Sequence, residues 1–333
     1  MNNKKSFWSS FGILGCAVSI ILIIVICVCV SVFSLAIMSA GGVYQEKGYM
    51  NSIRATGKQD EKVAVIYIEG IILDIDDGVY QTSLTQYVID ALDEVIENEN
   101  YKAAVLVLNT PGGGVYDSAR ISDKIKEAQA QDKVVVSVIE EMAASGGYWI
   151  AAPTDYILIQ PESITGSIGV LFQTIEYEEL FNKIGLEEII ITNRESVNKV
   201  PDELENKESE QYKLFEDLLD NEYEAFIQLI LEGREITRSE LRPYADGRLI
   251  DGRVAVKNNL ADAYGGFEEA IEYLKSEKGI DSPHIVDFHR MELIGWNAFS
   301  GKLDLLAKQL SPESRATLKM YLLPEIMFSE EKK

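Results

Sequence analysis

Between residues 63 and 159, short apolar runs alternate with longer stretches whose apolar positions recur at helical spacing. Residues 63–68, 102–108, 134–139 and 156–159 are near-continuous runs of Val, Ile, Leu and Ala, the pattern of strands covered on both faces. Between them, Leu84, Val88, Leu92, Val95 and Ile96 fall on one helical face, so residues 84–97 are expected to form an amphipathic helix. Residues 115–130 and 145–151 read as further helices. Strands that alternate with helices predict a parallel sheet within an α/β domain.

Past Gly185 the rhythm changes. Residues 189–192 look like a strand, 194–209 are polar and read as a loop, and 211–232 form a long amphipathic helix. Residues 285–288 (Ile-Val-Asp-Phe), flanked by His284 and His289, read as an ordinary surface strand.

The N-terminus carries a different signal. No charged residue occurs between Lys5 and Glu46, a stretch longer than the about 20 apolar residues that a membrane span needs. The apolar region of a cleaved signal peptide is shorter, about 7–15 residues. Residues 11–38 are therefore read as an uncleaved transmembrane anchor, and 39–62 as a linker. Lys4 and Lys5 precede the span, which predicts a cytoplasmic segment 1–10 and an extracellular remainder. The division continues with a catalytic domain over 63–280 and a tail over 281–333. Cys16, Cys27 and Cys29 all lie in the anchor, so no disulfide or thiol nucleophile is expected beyond it.

Of the 333 residues 47% are hydrophobic, enough for a sizeable core, and the formal net charge of -23 argues against nucleic acid as a ligand. The acidic stretch 202–210 reads as a solvated face.

Two glycine-rich strand ends carry the candidate chemistry. One is Asn109-Thr110-Pro111-Gly112-Gly113-Gly114 and the other Met142-Ala143-Ala144-Ser145-Gly146-Gly147-Tyr148-Trp149. Ser145, between a strand and a helix and among small residues, is placed as an exposed nucleophile would be. The Gly146 amide, at the helix start, is a candidate oxyanion donor. A serine alcohol needs a base nearby. His284 and His289 are far along the chain, and no third member of a triad suggests itself. A desolvated lysine is the other option. Lys102 and Lys133 precede strands and so belong to the opposite edge. Lys124 and Lys126 sit in a polar helical stretch, and Lys183 ends a helix. Lys199, beyond the 189–192 run, is the best placed.

These two motifs, followed by Ile164-Thr165-Gly166-Ser167-Ile168-Gly169-Val170 and by Ala245-Asp246-Gly247-Arg248, occur in series across roughly residues 60–275. In this series the chain resembles signal peptide peptidases of the SppA type, membrane-bound serine proteases related in fold to ClpP and the crotonases. The resemblance implies a ClpP/crotonase-like core of parallel strands with flanking helices, preceded by one transmembrane helix. It makes Ser145 the nucleophile, Lys199 the general base, Gly114 an oxyanion donor and Ser167 the group that orients the lysine. Family members often carry Gly three residues before that lysine, where this chain has Ser196. No metal or cofactor is implied. The implied substrates are signal-peptide remnants and other extended apolar peptides, and the implied assembly is a ring-like homo-oligomer in which neighbouring subunits can supply serine and lysine.

Two other readings use the same fold. One is an inactive, peptide-binding membrane scaffold, the other a crotonase-like acyl-CoA enzyme, which the acidic charge disfavours. The apolar residues 318–328 are expected either to pack between subunits or to occupy the peptide groove. Asp246 and Arg248 are expected to stitch a loop rather than to catalyse.

Overall fold

The computed structural model describes residues 49–75, 82–191, 193 and 207–291. The expected anchor over 11–38, Lys199 and the apolar residues 318–328 lie outside them. Among the described residues no helix is long and apolar enough to cross a membrane.

The strands are β1 (Tyr49–Ala55), β2 (Lys58–Glu69), β3 (Tyr101–Thr110), β4 (Val134–Ala144), β5 (Tyr156–Ile159), β6 (Ile164–Gly166), β7 (Leu249–Asp251), β8 (Ala263–Tyr264) and β9 (Pro283–Arg290). The helices are α1 (Leu84–Glu97), α2 (Val115–Ala130), α3 (Gly146–Ala151), α4 (Glu178–Ile184), α5 (Glu210–Gly233), α6 (Arg238–Leu241), α7 (Gly252–Lys257) and α8 (Phe267–Ser276), with a 3-10 turn at Arg242–Tyr244.

One mixed sheet runs in the order β1-β9-β2-β3-β4-β5-β8, and β6 bridges β4 to β7. The pairs from β9 through β8 are parallel, as is β4 with β6. Antiparallel pairing is confined to β1 with β9 and β6 with β7.

β3 shows why the central strands are legible as apolar runs. Ala104, Leu106 and Leu108 face a core built with Leu92, Ile121 and Ile125 of α1 and α2. Ala103, Val105 and Val107 face a second core with Ala270 and Leu274 of α8. With helices on both faces, successive side chains are all buried. α1 starts where the Ser83 hydroxyl accepts the Gln86 N–H, and α5 where Ser209 accepts that of Tyr212. The second half of α5 packs on the core through Phe226, Ile227, Leu229 and Ile230, while Phe215 in the first half stacks on Phe172.

Several expectations are corrected here. The strands begin within the stretch read as linker, with β1 at Tyr49 and β2 at Lys58. The sheet also extends past residue 280, because β9 inserts between β1 and β2. Ile285–Phe288 is therefore buried sheet interior rather than surface. Ile189–Ile191 forms no strand and is exposed, Ile191 to 90%.

Candidate active site

The site lies at the carboxyl ends of β3 and β4, where open α/β sheets bind ligands. β4 ends in Ala144, and Ser145 turns the chain into α3 with φ 53 and ψ -117, a backbone region that side chains rarely adopt. Two hydrogen bonds hold this turn. The Ser145 N–H donates to Gly166 O at 2.9 Å, and the Trp149 N–H donates to Ser145 O at 2.9 Å. Ser145 itself is half-buried between the buried Ala144 and Gly146. Among the described residues nothing hydrogen-bonds its Oγ.

The glycine-rich turn after β3 packs directly on this corner. The Gly112 N–H donates to Thr110 Oγ1 at 3.1 Å. Gly112 has φ 101, and a Cβ there would lie 2.7 Å from both Ala144 O and Gly146 N and 2.9 Å from Ser145 Cβ. Gly112→Ala should therefore disturb both the turn and the nucleophile. We expect a stability loss of about 3 kcal/mol by urea denaturation and a fall in peptide turnover of about 100-fold. Wild-type values for both would contradict this geometry.

Gly114 does not offer the free amide that the resemblance assigns to it. Residues Ile72 and Gly113 form a parallel bridge. In it Ile72 N–H donates to Gly112 O at 3.0 Å, and Gly114 N–H donates to Ile72 O at 2.9 Å. Bridging consumes the groups on either side of Gly113 and leaves the Gly113 N–H directed to the opposite edge. A Cβ on Gly146 would lie 3.0 Å from Gly113 N, so the Gly113 and Gly146 amides are close neighbours. Neither N–H has a hydrogen-bond acceptor among the described residues. The sequence reading missed Gly113; three consecutive glycines look alike, and only the bridge register separates them.

Ser167, the expected lysine-orienting group, follows Gly166 and has φ 50. Its N–H donates to Arg248 O at 2.7 Å. Gly146 follows Ser145 directly, Ser167 follows the Gly166 whose carbonyl accepts the Ser145 N–H, and Asp246 and Arg248 are hydrogen-bonded to each other in the neighbouring loop.

The two histidines are not brought to Ser145. β9 stands three strand spacings, about 14 Å, from β4. Moreover His284 pairs in register with Lys62 at the opposite end of the sheet, while His289 Nε2 lies 3.1 Å from Ser52 Oγ. The described lysines named above are also engaged elsewhere. Lys133 Nζ donates to the carbonyls of Asn98 and Tyr101 at the far edge, where partial burial and the neighbouring Lys102 lower its pKa. Lys124 is ion-paired with Asp93 and Glu127. Burial alone would lower its pKa, but those partners outweigh burial and the net shift is upward. Lys126 pairs with Glu232 and Lys183 with Glu179.

Residues 127–281 match the family model described as Peptidase family S49. The chain is 30% identical over 245 residues to the Enterococcus faecium protein that bears the name signal peptide peptidase SppA, covering 70% of this chain and 68% of the relative. The chain belongs to peptidase family S49. The chain is also 29% identical over 210 residues to Protease 4 of Haemophilus influenzae, covering 63% of this chain but only 34% of that longer protein. Among solved structures, a mutant of the 1510-N membrane-bound stomatin-specific protease is similar at a TM-score of 0.42 and 16% identity, over 64% of this chain and 84% of that one. A ClpP1 mutant from Listeria monocytogenes is similar at 0.42 and 14% identity, over 62% and 94% respectively. As an SppA-type S49 member the chain is a serine protease, and Ser145 stands at a corner where its hydroxyl and the neighbouring Gly113 and Gly146 amides have no hydrogen-bond partner among the described residues.

Proposed function

We propose that the chain is a membrane-anchored serine endopeptidase with a Ser145–Lys199 dyad, cleaving signal-peptide remnants and other extended apolar peptides. Ser145 Oγ attacks the scissile carbonyl, and the neutral Lys199 amine takes its proton. The oxyanion forms between the N–H groups of Gly113 and Gly146, Gly113 taking the place first given to Gly114. The lysine then protonates the leaving amine, and water attacks the acyl-enzyme with the lysine again as base. Ser167 orients the lysine amine.

The observation that supports this best is the Ser145 hydroxyl, held in a strained turn beside the Gly113 and Gly146 amides, all three without hydrogen-bond partners among the described residues. The test is hydrolysis of a fluorogenic peptide with a small or apolar residue before the scissile bond. Turnover that survives removal of Ser145 would refute the assignment.

The anchor over 11–38 would hold the site at the membrane, on the extracellular side, where such peptides arise. A ring-like homo-oligomer fits the surface formed by described residues between Ser167 and Ile191. There Leu171, Ile175, Ile184 and Ile191 are all exposed, and α4 buries none of its side chains. A run of exposed apolar side chains marks an interaction surface. Ile184→Glu should therefore dissociate the assembly and lower turnover. Sedimentation of the full chain in detergent would show the shift, and an unchanged coefficient would exclude this face from the interface.

A further inference from the structure

A single peptide plane joins the nucleophile to a loop about 100 residues further along the chain. The carbonyl of Gly166 accepts the Ser145 N–H at 2.9 Å, and the N–H of the next residue, Ser167, donates to Arg248 O at 2.7 Å. These two groups belong to the same amide, which is planar, so fixing one end fixes the other. The residues on either side of this plane both have positive φ, 81 for Gly166 and 50 for Ser167. Left-handed residues on both sides make the orientation one that the local sequence does not hold unaided.

What holds it is the turn at Asp246. Asp246 Oδ1 accepts the Arg248 N–H at 3.2 Å and the Arg248 Nε–H at 2.7 Å, and Oδ2 accepts from Nη2 at 2.5 Å. Gly247 takes φ 84 within this turn, and its N–H donates to Ile168 O at 3.0 Å. The turn therefore grips Ser167 and Ile168 by backbone hydrogen bonds just beyond the β6–β7 ladder. Both side chains of the pair are about half exposed.

We infer that Asp246 is a positioning residue for catalysis: by closing the Asp246–Arg248 turn it orients the Gly166–Ser167 peptide, and through that peptide the Ser145 amide and nucleophile. The inference rests on Ser145 being the nucleophile. An exposed ion pair contributes little to global stability, so a merely structural role predicts almost no phenotype on replacement. A positioning role predicts a loss confined to kcat, because a misplacement of the reacting group by a fraction of an ångström slows the chemical step without weakening binding.

The experiment compares Asp246→Ala, Asp246→Asn and Ser145→Ala with wild type in the full-length chain. It reads kcat and KM on a fluorogenic peptide, and hydrogen exchange of the peptide fragment that contains Ser145. Asp246→Ala should lower kcat about tenfold at nearly constant KM and speed exchange at the Ser145 amide by a similar factor. Asp246→Asn, whose side-chain oxygen still accepts the Arg248 N–H, should stay within about threefold of wild type. A kcat near wild type in Asp246→Ala, or an Asp246→Asn as slow as Asp246→Ala, overturns the inference. Full turnover in Ser145→Ala would instead overturn the nucleophile itself.

Discussion

Replacing Ser145 by alanine should remove peptide hydrolysis, with kcat/KM falling by about 10⁴-fold or more, because the proposed acyl bond forms on its hydroxyl. The melting temperature should not move, since alanine inherits the same backbone strain. Ser145→Gly gives the sharper test. At φ 53 and ψ -117 a side-chain-bearing residue is strained by about 1–3 kcal/mol. Glycine relieves that strain while costing about 0.4–1 kcal/mol through its freer unfolded chain. The glycine variant should be equally inactive yet about 1 kcal/mol more stable by urea denaturation. Such a gain would identify the turn as one held under strain for function. An active Ser145→Ala, or a glycine variant clearly less stable than wild type, would contradict this account of the corner.

Replacing Lys199 by alanine should cost nearly as much as replacing Ser145, because a nucleophile and its base act as a unit and their losses do not add. The double variant should therefore be no slower than either single one. Lys199→Arg should fail as well, since a guanidinium stays protonated and cannot accept the serine proton. In the proposed mechanism only the neutral amine acts as base, so kcat/KM should rise with pH through the lysine's pKa and level off above it. A profile flat from acidic to neutral pH, or a fully active Lys199→Ala, would remove the lysine from the mechanism. The described lysines named earlier offer no substitute, as each is bound to carboxylates or carbonyls away from the carboxyl end of β4.

The strands nearest the site were plain in the residue pattern because both their faces are covered, and burial on both faces leaves apolar runs. β1 left no such trace. It is an edge strand with Met50, Ser52 and Ile53 exposed, so neither alternation nor a run marks it. β7 and β8, of three and two residues, are too short for any periodicity to register. β9 was recognisable as a strand, but its place was not. Its position between β1 and β2 comes from pairings with residues more than 200 positions away. The apolar run around Ile189–Ile191 misled in the other direction. Hydrophobic residues that wait for another surface resemble those of an internal strand.

At the site the division follows the same line. Side-chain identity made Ser145 and the candidate base nameable, and clustered glycines announced that backbone amides come close to a substrate. The choice among those amides was beyond any residue pattern, since Gly112, Gly113 and Gly114 are chemically identical. The Thr110 hydroxyl takes the Gly112 N–H and the Ile72 bridge takes that of Gly114, which leaves the central N–H without an acceptor among the described residues. The role of Asp246 was equally hidden, because it acts through two peptide groups that every residue possesses. The chain's own chemistry thus determined which functional groups are available. Backbone direction, which depends on strand register and on left-handed turns closed by distant partners, decided which of those groups can meet a reacting carbonyl.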